Sequence, residues 1–385
     1  MSVSKTILVL GGGVGGLVAA NRLRRDLPAR HRVILVEREA SHVFAPSLLW
    51  LMVGARRLPE ITRSFDGLKR KGIDVVRGEV ESLDPELKEA VVAGRVLKGD
   101  YVIVALGAEF YPEATPGLVE SGHTFCTPAG AVALRPALAE FRGGRLLILT
   151  AAPAYKCPAA PYEAAMLLEA DLRKRDLRDR TRIDLFAAEP GPMGVAGPEV
   201  SRGVRAMVES KGIGYHPEHQ VVTVDAATRR ARFSNGVEAD YDLLVYVPGH
   251  RPPPVVVAAG LVGESGGVSV DRHTLATRFE GVYAIGDVTS IPLKLGKPLP
   301  KAGVFAHAQA EVVARAIARA VTGRGRSAEF DGHGECFVET GGGKAGFGSG
   351  NFYAEPVPRV TLRGPGRVWH VGKVLLEKVW LWRWF

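Results

Sequence analysis

Short apolar runs, several of them closing on glycine or another small residue, recur along the chain. Residues 6–10 (TILVL), 31–37 (HRVILVE), 101–108 (YVIVALGA), 146–149 (LLIL), 183–189 (IDLFAAE), 241–248 (YDLLVYVP) and 281–287 (GVYAIGD) read as buried strands. Helical spacing follows the first run over 17–25, the fourth from about Ala160, and the last over 300–309. Strand, turn and helix in this order predict an α/β fold with two Rossmann-like units and a C-terminal region outside them. The first unit is expected over 1–113, resuming over 255–325. The second is expected over 114–254, with a further segment over 326–385.

The first strand runs into Gly11, Gly13 and Gly16. In that pattern Gly11 permits the tight turn, Gly13 the approach of a pyrophosphate, and Gly16 the packing of helix on sheet. Glu37, about twenty residues further on at the end of the second strand, is spaced to bond ribose hydroxyls. The turn at Gly107 and the pair Gly286 and Asp287 close two later strands. Together they resemble the flavoproteins with two dinucleotide domains, a resemblance that implies FAD as cofactor, with the Asp287 carboxylate on its ribityl chain. The helix over 300–309, which includes Lys301, would face the flavin with its N-terminus.

The corresponding turn of the second unit lacks the fingerprint. Residues 145–163 (RLLILTAAPAYKCPAAPYE) contain no glycine, and Pro158 and Pro161 remove amides that a phosphate needs. In their place stands Cys157, ahead of a helix and next to Lys156, where dipole and ammonium favour a thiolate. Glu163 reads either as a proton shuttle to the sulfur or as a carboxylate serving the helix dipole. Cys336 lies in residues 332–350 (GHGECFVETGGGKAGFGSG), a glycine-dense loop or short strand. Taken alone it reads as a buried small hydrophobe.

Residues 156–163, with 44–54 (FAPSLLWLMVG) and the glycine-rich segment around Cys336, resemble the sulfide dehydrogenase branch of the flavin disulfide reductases. That branch includes the sulfide:quinone oxidoreductases and the flavoprotein subunit of flavocytochrome c sulfide dehydrogenase. The resemblance implies that Cys157 and Cys336 form a redox pair over the flavin, with Glu163 as acid/base. It also implies that Cys126 is a third cysteine at the ring, tethered or untethered. The substrates implied are sulfide and a quinone. Residues 194–197 (GVAG) depart from the branch, whose Gly-His-x-Gly histidine is replaced by Val195. Two alternatives stand beside this reading. One is a type II NADH:quinone oxidoreductase, which needs the glycine turn missing here; the other is a non-catalytic flavoprotein carrying persulfide.

Composition narrows the partners. Of 385 residues 46% are apolar and 24% charged, which excludes disorder, and a net charge of +9 favours anionic partners. No nucleic-acid motif accompanies that charge. No metal site is expected. Met1 to Lys5 lead straight into the first strand, so the expected location has no signal peptide and is the cytoplasmic face of the cell membrane. Residues 367–385 hold four of the five tryptophans and are too short and too charged to span a bilayer. Their aromatic and basic content predicts a peripheral, interfacial helix, with Phe347, Phe352 and Tyr353 as candidate walls of a quinone pocket or simply core. The competing expectation is a tail packed on its own core or on the mate in a homo-oligomer.

Overall fold

A computed structural model of the protein describes residues 3–385; Met1 and Ser2, part of the segment read above as leaving no room for a leader, lie outside them. Strand β1 (Thr6–Leu10) leads through the glycine turn into helix α1 (Val14–Asp26), then β2 (Arg32–Glu37), β3 (Asp74–Arg77) and β4 (Tyr101–Val104). Later come β5 (Gly144–Thr150), α2 (Ala160–Lys174), β6 (Thr181–Phe186), β7 (Gly214–His216), β8 (Leu243–Val247), β9 (Val282–Ala284) and α3 (Gly303–Thr322). The first sheet has the order β9-β4-β1-β2-β3 and the second β7-β6-β5-β8, with parallel pairing throughout both.

Parallel strands covered on both faces must be apolar along their whole length, and Ile7, Leu8, Val9 and Leu10 are fully buried, as are Ile148 and Leu149 in the second sheet. An antiparallel meander hangs from each unit, one over Val80–Asp84, Glu89–Val92 and Arg95–Lys98, the other over Val221–Asp225, Arg230–Phe233 and Glu238–Asp240.

The glycine-dense stretch is not a loop. It forms an antiparallel sheet of β10 (His333–Gly341), β11 (Lys344–Asn351) and β12 (Arg359–Gly366), with Cys336 opposite Gly348. Extended backbone suits these glycines because the sheet packs closely: a Cβ on Gly334 would meet the Phe305 ring at 2.4 Å. Strand β12 passes directly into helix α4 (Arg367–Arg383).

Helix α4 departs from the interfacial reading in one respect. The polar stripe His370, Lys373 and Glu377 faces inward, with Lys373 and Glu377 buried, while Val368, Val371, Leu375, Val379 and Trp382 form an exposed apolar stripe. Trp380 and Trp384 are buried in the core, leaving Trp382, 79% exposed, as the outermost ring. No helix among the described residues is long and apolar enough to cross a membrane.

Candidate functional site

The glycine turns of the first unit gather at the carboxyl edge of its sheet. Gly11 has φ +101°, and a Cβ on Gly16 would lie 1.8 Å from the Gly11 carbonyl oxygen, so α1 can approach the turn only through glycine. Gly13, which caps α1, has open space where its Cβ would stand, as does Gly107 beyond β4. Glu37 accepts from the Gly12 amide at 2.6 Å and the Glu39 amide at 2.9 Å, fixing the turn. Gly286 N–H donates to Gln309, which ties the Gly286–Asp287 turn to α3.

These residues fit FAD. Burial raises the pKa of the Asp287 carboxyl, with Lys156 and Lys301 opposing it, and among the described residues nothing donates a hydrogen bond to that carboxylate. A carboxylate in this condition calls for hydroxyl donors, which a ribityl chain carries. Lys301 donates to the carbonyls of Asp287 at 2.6 Å and Thr289 at 2.9 Å, and its own carbonyl accepts from the Cys157 amide at 2.8 Å. It therefore links the two units.

Cys157 stands at the start of α2 in a left-handed conformation, φ +58°, a strain that the Lys301 and Ala160 hydrogen bonds hold in place. Part of the residue is open to solvent. Even so, the protein around the sulfur, together with Glu163 and Cys336, raises its pKa well above the ordinary thiol value, and Lys373 pulls the other way. Cys336 is pushed up to about 12 by burial and by Glu163, again opposed by Lys373. Cys126, raised to about 11 by burial, lies close enough to act on the charge of Cys157.

The expected thiolate beside Lys156 is thus corrected. The Lys156 ammonium is engaged by other partners, donating to the Ala108 carbonyl at 2.9 Å and lying 4.0 Å from the Phe110 ring centroid. The cation that acts on Cys157 and Cys336 is Lys373, which comes from α4, while Lys156 acts on Cys126.

Glu163 is buried in the first turn of α2, where its Oε1 accepts from Lys373 Nζ at 2.8 Å and from the Glu339 amide at 2.9 Å. Burial alone would lower the Lys373 pKa, but Glu163 and Glu339 hold it raised. Burial raises Glu339, against Lys373 and against His370, whose Nδ1 lies 3.0 Å away. A chain of ionisable groups thus runs from His370, partly exposed, through Glu339 and Lys373 to Glu163 and the thiols. In the sequence His370 and Lys373 stand only in a polar stripe, and nothing marks Glu339. The signal available was a charged stripe on a helix otherwise apolar, which marks an inward-facing function as readily as a wet face.

Of the three aromatic candidates for a quinone wall, Phe352 packs on Phe305, and Tyr353 on Phe330 while donating to the Arg272 carbonyl. Both are core. Phe347 instead stacks on Trp369 of α4, centroids 4.7 Å apart, with Phe337 at 5.1 Å, one residue from Cys336. Val195 is half-buried against the core. Among the described residues no group of metal-ligating side chains is found.

The comparisons with known proteins agree in direction. The "Sulfide-quinone reductase" of Aquifex aeolicus (strain VF5) is 26% identical over 399 residues, covering 99% of this chain and 91% of the relative. The mitochondrial "Sulfide:quinone oxidoreductase" of Mus musculus is 25% identical, covering 91% of this chain and 79% of its own length. The crystal structure of the Aquifex aeolicus sulfide:quinone oxidoreductase superposes with a TM-score of 0.90 at 25% identity, over 99% of this chain and 91% of that one. The family model described as pyridine nucleotide-disulphide oxidoreductase matches residues 5–312, and this chain belongs to that family.

Proposed function

We propose that the protein is an FAD-dependent sulfide:quinone oxidoreductase, oxidising sulfide to sulfane sulfur and passing the electrons to a quinone. The observation that carries the reading is the joining of Cys157, Cys336, Glu163 and Lys373 at the turn where a nicotinamide nucleotide would otherwise bind. Hydrosulfide attacks the Cys157–Cys336 disulfide, breaking the S–S bond, so that one cysteine becomes a persulfide and the other leaves as a thiolate. Glu163 is the group positioned to accept and return the protons of this exchange, and Lys373 offsets the negative charge that appears on the sulfur. FAD, when bound, supplies the two-electron acceptor between this sulfur pair and the quinone.

The exposed stripe of α4 supports docking on a membrane surface, with Phe337, Phe347 and Trp369 as the aromatic wall nearest Cys336; the cytoplasmic face is the side proposed for it. The decisive experiment is anaerobic mixing of purified protein with sulfide while flavin absorbance is followed. Rapid bleaching is expected, lost in Cys336→Ala, and NADH should bleach nothing. Bleaching by NADH, or a Cys336→Ala protein that reacts like the parent, overturns the reading.

A further inference from the structure

A surface cleft of about 310 Å³ lies where the end of α4 meets the last turns of α1. Five cations line it, and two are matched: Arg22 by Glu311 and Arg25 by Asp26. The other three bond only to neutral groups. Lys71 donates to Asn21 Oδ1 at 3.2 Å and to the Arg383 carbonyl at 3.0 Å. The Arg24 guanidinium donates to the carbonyls of Leu27, Pro28 and His31. Arg383 lies over the Trp384 ring, 5.1 Å from its centroid. Among the described residues no Asp or Glu side chain comes within ion-pair range of any of the three.

Like charges brought from three separate elements into one cleft repel, and an anion there relieves the repulsion. Three guanidinium and ammonium charges lining one space with no carboxylate to offset them suit the charge of a phosphate. We propose that this cleft binds the phosphate of an anionic phospholipid headgroup. The lipid source is favoured over free phosphate by position: the cleft opens at the end of the helix whose outer stripe, through Val379 and Trp382, is exposed. The inference rests on the membrane-docking reading of α4, and its test separates the two.

The test is flotation of the FAD-loaded protein with vesicles of phosphatidylcholine alone, or with about one quarter phosphatidylglycerol. Each basic side chain near such a surface contributes about 1 kcal/mol, or about fivefold. The variant Arg24→Gln/Lys71→Gln/Arg383→Gln should therefore lose roughly a hundredfold in binding to the anionic vesicles while keeping its binding to phosphatidylcholine. Arg383→Gln alone, at an exposed position, should lose about fivefold with its fold intact. A control that removes the same charge elsewhere, Arg95→Gln/Arg229→Gln/Arg326→Gln, should keep most of the preference. Equal losses in the two triple variants would reduce the effect to net charge and overturn the site. Inorganic phosphate that raises the melting temperature of the parent but not of the cleft variant, with no preference for anionic vesicles, would overturn the lipid assignment. Leu375→Asp that abolishes binding to both vesicles while the cleft variants change nothing would leave α4 docking in place and remove the cleft.

Discussion

The ammonium of Lys373 lies 2.8 Å from the Glu163 carboxylate, although the two residues are 210 positions apart in the chain and both are buried. This one contact joins the second Rossmann unit to the C-terminal helix and places a fixed charge beside the sulfur pair. Breaking a buried pair by removing one partner costs about 3 to 5 kcal/mol, because the other charge is stranded. Lys373→Met should therefore lower unfolding free energy by about that amount in denaturant titration. Adding Glu163→Gln should restore most of it. Turnover on sulfide should nevertheless stay roughly a hundredfold below the parent in the double variant, since the proton acceptor is gone.

Thiol reactivity should follow the same charge. In the reduced protein, alkylation of Cys336 should keep accelerating with pH beyond the ordinary thiol range, its pKa being about 12. Lys373→Met removes the group that opposes this elevation, so alkylation at a given alkaline pH should slow further. Mass spectrometry of the modified peptide over a pH series provides the measurement.

His42 ties α4 to the glycine turn. Trp380 Nε1–H donates to His42 Nε2 at 3.2 Å, which leaves the ring proton on Nδ1 for the Gly12 carbonyl, also at 3.2 Å. Burial lowers the His42 pKa from 6.5 to about 4. As pH falls the unfolded chain takes the proton first, so this contribution to stability is whole above pH 6.5 and is lost as pH drops toward 4. The stability advantage of the parent over His42→Gln should shrink by up to about 3 kcal/mol across that window.

The two faces of α4 should respond in opposite ways. Leu375→Asp on the exposed stripe should release the protein from membranes with little change in melting temperature or oligomeric state. On the inner face, Glu377 accepts from Ser47 and from Arg56 at 3.0 Å. Glu377→Ala should cost about 2 kcal/mol, because Arg56 is partly exposed and recovers some hydration. Deleting residues 366–385 would confound the two effects, since it removes Lys373 together with the apolar stripe.

Much of this was legible in the sequence. The strands of both sheets and the Gly11, Gly13, Gly16 turn carry their own signals, in period and in glycine spacing, and so does the exchange of a second glycine turn for Cys157. Three things were not legible. The company of Cys157 depends on where side chains point, and Lys156, its neighbour in the chain, turns to the Ala108 carbonyl while Lys373 arrives from another element. The sidedness of α4 depends on what lies beneath it: a stripe of His370, Lys373 and Glu377 looks the same whether it meets water or a ring of carboxylates, an arginine and a serine. The extended glycines around Cys336 were ambiguous for a related reason, because residues 332–350 lack the side-chain alternation that distinguishes strand from loop.

If α4 docks on lipid as proposed, it is held on one side by the reacting centre and on the other by the bilayer, with no tether between them. Since a helix with its side chains is about 10 to 12 Å across, the proposed docking would set the standoff of the sulfur atoms from the bilayer plane at roughly one helix thickness. Any roll of the helix about its long axis would then swing the Lys373 ammonium by the same angle, with no joint to absorb it.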